Sequence, residues 1–397
     1  MFIKSFYIII TTESVNGGQV GKKNICCAFF SGLLLFGILI NVNQAMPSES
    51  YNISSFGTIH YSSNPLLSVD GKQIVDNSGT PVFLRGLSKM GLEYANPVTR
   101  NDREIDPTYY EYDAEVMVSW GANLVRVSFC KEWYDNDPQY RVYLRQWVDA
   151  CASRGLYIIL DCHYPSPMGS LIRPDTPEDE ANAIMEGMIA TQEQVVRNYA
   201  DQNMVIGVEI NEPWLMDAYP DKMWSWLLRI NNLFAQRIHA INPDLLIFID
   251  VANLQWINDS VINASRQYLT EPNLVLAPHL YEAERGFPYT GKYYPNDGGD
   301  FMTYYEQGDN AEGKRRLYQF LDVYYKQPFD LYGLPVVATE FAGKRTLTQP
   351  LRDIMAYMNS QGYGYSYWTY YGGTGSYLLE TDWQTLSPTG SIFVEGL

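Results

Sequence analysis

Histidine is scarce in this chain, with four residues in 397, and cysteine is hardly more common, with five. Cys26 and Cys27 fall in an apolar stretch near the start, which leaves Cys130, Cys151 and Cys162 for the remainder. An odd number at spacings that match no zinc pattern predicts neither a disulfide framework nor a structural metal, although a single bridge stays open. Basic residues are also short: 28 Lys and Arg stand against 45 Asp and Glu, for a net charge of −17. The first 45 residues hold three of the Lys and one of the acids, so the rest is more acidic still. That balance disfavours nucleic acid and anionic membranes as partners, and leaves a neutral polymer such as a polysaccharide, or a cationic protein. No glycine-rich phosphate fingerprint follows the first strand candidate, and there is no internal repeat or low-complexity tail. No Ser/Thr/Pro linker leads to an appended binding module.

What the chain does have is apolar and aromatic mass. It is 46% hydrophobic with 32 Tyr and 9 Trp, which argues against disorder and for partly wet aromatic surfaces. Lys22-Lys23 precede an apolar run from Ile25 to Ile40, followed by Asn41-Val42-Asn43-Gln44-Ala45. The pattern resembles a secretory signal, and the run is shorter than the roughly 18 residues of a spanning helix. Residues 1–45 are therefore expected to direct secretion, with an uncleaved membrane anchor as the alternative. Residues 46–66, polar and carrying the glycosylation-type triplet Asn52-Ile53-Ser54, read as a linker or wrapping segment. Residues 67–397 form the main domain, expected to be a monomer.

Gln73–Asp76, the turn residues Asn77-Ser78-Gly79 and Pro81 predict a hairpin. Eight apolar runs follow: Val82–Gly86, Leu124–Phe129, Leu156–Asp161, Val205–Ile210, Leu245–Val251, Leu274–Ala277, Pro335–Ala338 and Tyr363–Tyr367. Stretches with helical spacing lie between most of them, at Arg141–Arg154, Glu178–Tyr199, Lys222–Ile241, Lys314–Tyr325 and Gln349–Met358. Alternation on this scale predicts an α/β fold, a single (β/α)8 TIM barrel with long loops on its C-terminal face.

Polar residues gather at the same end of these runs. Arg126 lies within the second; Asp161-Cys162-His163-Tyr164 closes the third and Asn211-Glu212 the fourth. His279-Leu280-Tyr281 follows the sixth, Thr339-Glu340 the seventh and Trp368 the eighth. In a (β/α)8 barrel those ends make up the active-site face. Taken singly, Arg126 reads as a partner for a buried Glu209, the histidines as core residues and Glu340 as a loop acid. Six strand ends bearing such residues together point to a site. Barrel closure would bring Glu212 and Glu340 face to face, and a pair of carboxylates in unlike environments is what glycosidic cleavage needs.

The ordered set Gly86, Ala122-Asn123-Leu124-Val125-Arg126, Leu160-Asp161-Cys162-His163, Asn211-Glu212-Pro213, His279-Leu280-Tyr281, Thr339-Glu340-Phe341 and Trp368 resembles glycoside hydrolase family 5 over roughly residues 66–390. The resemblance implies that Glu212 is the general acid/base and Glu340 the nucleophile of a retaining mechanism, with no cofactor. It implies that Arg126 and Tyr281 contact Glu340, that Asn211 bonds the 2-hydroxyl of the attacked sugar, and that His163 binds the same sugar. It further implies that His279 lies near Glu212 and that Trp368 floors the site. Trp133, Tyr164 and Trp214 are candidate platforms for further sugar rings, and the long loop Glu282–Gly313 a cleft wall. A β-linked polysaccharide is the implied partner. The leading expectation is an endo-β-1,4-glucanase, with a β-mannanase or other β-glycanase as the alternative within the family. A non-catalytic carbohydrate-binding barrel is the alternative from a different class.

Overall fold

The computed structural model describes residues 67–169, 172, 176–210, 220–250, 263, 266–281, 301–371 and 376–397, with side chains from Ser225 onward in the helix that begins at Pro220. Two short strands come first, β1 (Leu67–Asp70) and β2 (Gln73–Asp76), paired antiparallel around Gly71, whose φ of +58° favours glycine. The turn expected after Asp76 is present, with Asp76 N–H donating to Thr80 O at 2.9 Å and a bridge from Val75 to Pro81. The strand on its other side, β1, was not expected.

Among the described residues nine further strands run parallel: β3 (Arg85–Ser88), β4 (Leu124–Cys130), β5 (Tyr157–Tyr164), β6 (Val205–Ile210), β7 (Leu246–Asp250), β8 (Leu274–Ala277), β9 (His279–Leu280), β10 (Val337–Phe341) and β11 (Gly364–Tyr367). β8 and β9 are one barrel strand interrupted at Pro278, which has no N–H to give a ladder. β11 pairs with β3, and the other end of the sheet closes where Leu276 N–H donates to Pro335 O at 2.9 Å. The result is a (β/α)8 barrel.

Side chains alternate along each strand, so every second residue faces the barrel interior. Leu124, Ile159, Ile206, Phe248, Val275 and Val337 pack together as a lower interior layer, joined by Leu67 and Ile74 from the β1–β2 hairpin. One step further toward the C-terminal ends, the interior turns polar, with Arg126, Asp161, Glu209 and Thr339 all buried. The larger core lies outside the ring, between strands and helices. Gly86 permits the closest strand approach: a Cβ there would meet Leu124 O at 1.7 Å. Gly86→Ala is expected to cost about 3 kcal/mol by forcing β3 away from β4, read as a lowered denaturation midpoint.

The expected helices are present with moved ends. The helix expected at Arg141 starts at Pro138, because Asp137 accepts from Gln139 and Tyr140 N–H groups and a proline suits the first turn. The others span Glu178–Asn198, Pro220–His239, Asn310–Leu321 and Gln349–Gln361. Tyr110–Ser119 is a helix that the apolar spacing did not indicate, since its buried face includes Asp113.

Candidate active site

Arg126 is the centre of the polar layer. Its side chain is buried, and each branch of the guanidinium meets a different carboxylate: Nε donates to Glu209 Oε2 at 2.6 Å, Nη1 to Glu340 Oε1 at 2.9 Å, and Nη2 lies 3.0 Å from Asp161 Oδ2. A lone buried cation would be very costly, and a fork with three anionic partners on β5, β6 and β10 removes that cost while locking its orientation. Glu209 was expected to pair with Arg126. The pairing is with Arg126; Arg85 lies over the rings of Phe83 and Tyr365.

Glu340 reaches this fork through an irregularity. The β10–β11 register shifts between Ala338 and Phe341, so consecutive residues Thr339 and Glu340 both turn inward. Thr339 Oγ1 donates to Glu209 Oε1 at 2.8 Å, and Glu340 receives Tyr281 OH on Oε2 at 2.5 Å. His279 Nδ1 is 3.4 Å from the same Oε2, while its Nε2 is 4.0 Å from Glu209 Oε1. Burial alone would push Glu340 up; His279, Arg126, His163 and the Tyr281 hydroxyl override it and hold the carboxyl at about 2. Glu209 is shifted the other way, upward, because burial outweighs Arg126 there. Two carboxylates held by one guanidinium are thus driven in opposite directions by their surroundings. His279 is pushed below its ordinary value, chiefly by burial.

A depressed carboxylate stabilises the folded state above its unfolded value near 4.5, a contribution lost as pH falls toward about 2. Tyr281→Phe removes one of the donors responsible. Glu340 is then expected to titrate higher, and turnover to fall by about tenfold, the worth of one charge-assisted hydrogen bond. Steady-state kinetics from pH 4 to 8 check this.

His163, on the inner face of β5 two residues beyond Asp161, donates from Nδ1 to Asp161 Oδ2 at 2.7 Å. Its ring stacks on Trp368 at 5.7 Å with 6° between planes, and meets Tyr164 edge-on at 4.4 Å. Trp368 follows β11 and is fixed by its N–H to Phe341 O at 2.9 Å. Tyr164 donates to or accepts from Tyr94 OH at 3.1 Å. Trp133 is partly exposed and packs on Tyr140 at 5.8 Å, in the helix that follows β4. Asn211, Glu212 and Trp214 lie outside the described residues, as do Tyr289, Tyr293 and Tyr294 of the long loop.

Two neighbours of this cluster had no role assigned from the sequence. Asp161 carried a signal, since residues i and i+2 on a strand share a face and His163 was already a candidate. Tyr94 carried none. It sits in the loop after β3, 44% exposed, with its ring 6.4 Å from His163 and 5.3 Å from Tyr164.

Comparison with known families places the chain that folds into this barrel. The model of cellulase, glycosyl hydrolase family 5, matches residues 75–373. The chain belongs to that family. Among curated relatives of this family 5 chain, Endoglucanase 5 of Pectobacterium carotovorum subsp. carotovorum is 24% identical over 254 residues, covering 63% of this chain and 44% of the relative. Endoglucanase E-5 of Thermobifida fusca is 22% identical over 268 residues, covering 64% and 52%. The family 5 chain thus spans about half the length of the curated relatives it matches. Its fold is shared with the endocellulase of the archaeon Pyrococcus horikoshii, at a TM-score of 0.61 and 19% identity, over 83% of this chain and all of that one, 100%.

Proposed function

We propose that this protein is a retaining, endo-acting glycoside hydrolase that cleaves β-1,4-glucosidic bonds in cellulose or related β-glucans. The observation that carries the reading is the setting of Glu340, a carboxylate at the mouth of the barrel held ionised and in one orientation by Arg126 at 2.9 Å and Tyr281 at 2.5 Å. An anion so fixed is suited to attack an anomeric carbon, because its charge and direction are set before substrate arrives. Glu212 supplies the proton to the departing oxygen and later takes one from water, a role that rests on its place in the Asn-Glu-Pro motif and on family membership. Asn211 bonds the 2-hydroxyl of the attacked sugar, where contacts tighten as positive charge develops on the ring. His163 binds the same sugar, Trp368 lies beneath it, and His279 helps manage the proton of Glu212. Tyr164, joined by Tyr94, offers an aromatic edge for the next ring, with Trp214 and Trp133 as further platforms. The names of the curated endoglucanases favour a glucan over a mannan. Export through residues 1–45 fits a polymeric substrate that stays outside the cell.

Purified protein assayed on carboxymethylcellulose, mixed-linkage glucan, mannan and xylan tests the substrate. Fastest release of reducing ends from the two glucans is expected. Preference for mannan would move the specificity to a β-mannanase, and inactivity on all four would refute the enzymatic reading.

A further inference from the structure

We propose that Asp161 is a positioning residue that couples the sugar-facing His163 to the guanidinium gripping Glu340, fixing the Nδ1 proton and the plane of the imidazole. The inference rests on the hydrolase reading for its substrate and on geometry for the rest. Asp161 Oδ2 accepts from His163 Nδ1 at 2.7 Å and forms an ion pair with Arg126 Nη2 at 3.0 Å. A carboxylate accepts only, so the proton on Nδ1 is fixed. The ring plane is fixed as well, by parallel stacking on Trp368 and the edge of Tyr164. With Nδ1 committed, the charge state of the ring decides whether Nε2 donates or accepts.

The surroundings favour the cation. Asp161 from the same strand, Glu340 from β10 and Glu93 from the loop after β3 bring negative charge toward His163, while Arg126 from β4 opposes them. His279 from β9 also repels it when charged, and burial pushes that ring below its ordinary value. Tyr94 and Tyr164 contribute uncharged edges. Burial would lower His163, but Asp161 outweighs it and lifts the ring to about 9. An imidazolium donates a shorter, stronger hydrogen bond to a hydroxyl oxygen than a neutral ring does. Asp161 also completes the three-legged grip on Arg126, so the group that orients the nucleophile and the group that orients the sugar share one oxygen.

Asp161→Asn keeps an acceptor oxygen for Nδ1 and removes the charge. In that variant His163 is expected to titrate at about 6.5 or lower, the ordinary histidine value or less. The ratio of variant to wild-type kcat/KM should then fall by about tenfold between pH 5, where both rings are cationic, and pH 8, where only the wild-type ring is. Most of the loss should lie in KM. A ratio that stays flat with pH would leave Asp161 a merely structural role. NMR of the 15N-labelled imidazole in the wild-type protein gives an answer independent of catalysis and of whether the variant folds. Both His163 nitrogens protonated at pH 7.5 is the expected result; titration at or below about 6.5 would overturn the proposal. If the protein hydrolyses none of the glycans, the hydrolase reading falls while the NMR result still decides the charge of His163.

Discussion

Glu340→Ala is expected to abolish turnover, lowering kcat by at least about 10⁴-fold, while the barrel stays folded. The magnitude follows from the proposed role: without the attacking oxygen no glycosyl-enzyme would form, and Glu212 alone would not replace it. The fold survives because Arg126 keeps two anionic partners, Glu209 at 2.6 Å and Asp161 at 3.0 Å. The Tyr281 hydroxyl, freed of its acceptor, sits in a residue that is only partly buried and can turn to water. Circular dichroism should therefore match the wild type, with the thermal midpoint lowered by the stabilisation that the ionised Glu340 contributed and the fold retained. Retention of more than a few per cent of activity would remove Glu340 from the nucleophile's role.

Arg126→Ala should do the opposite to the balance between fold and function, damaging both. Three buried carboxylates, on Asp161, Glu209 and Glu340, lose their shared cation at once. Breaking a buried ion pair by removing one partner costs about 3–5 kcal/mol, and here the deserted charges also repel one another. For a domain of this size the thermal midpoint should fall by roughly 10 °C. The loss has a pH signature. Stranded carboxylates take up protons in the folded state at a higher pH than when unfolded, so stability declines as pH rises through the range where they ionise. The variant should be closest to wild type near pH 5 and furthest from it at pH 8. Arg126→Lys should recover only part of the loss, because an ammonium is a point charge that cannot fork to three strands. Unfolding curves at the two pH values measure this directly.

The barrel was legible because its strands are apolar and its helices amphipathic, and two runs, Val205–Ile210 and Leu274–Ala277, keep the bounds read from composition. The errors at the third and seventh strands share one cause. Ending a strand at its first polar residue placed the seventh at Pro335–Ala338 and closed the third at Asp161, whereas β10 continues to Phe341 and β5 to Tyr164. The barrel interior changes from apolar to charged partway along its strands, so polar residues there are still strand. The first strand was placed early, at Val82–Gly86, because Val82 and Phe83 are apolar; Phe83 is 45% exposed, and pairing begins at Arg85. Asp113 hid the helix at Tyr110–Ser119 in the same way, being buried through Lys89 Nζ at 2.6 Å and the fork of Arg103.

For the site, residue types at strand ends sufficed to assemble Arg126, His163, His279, Tyr281, Glu340 and Trp368. Composition says nothing about which oxygen meets which nitrogen. The bulge that turns Thr339 and Glu340 inward together, and the single oxygen of Asp161 shared by His163 and Arg126, arise from register and closure between strands remote in sequence. Tyr94 belongs to a loop whose position depends on contacts with β5, and no periodicity marks it.

The central claim is double displacement at Glu340 with Glu212 as acid/base. Its most direct test is proton NMR of the anomeric signals during hydrolysis of a reduced-end-labelled cello-oligosaccharide by the wild-type protein. The β-anomer should appear first and convert to α only by mutarotation. Immediate formation of the α-anomer would contradict the account, since it requires a single inversion by water.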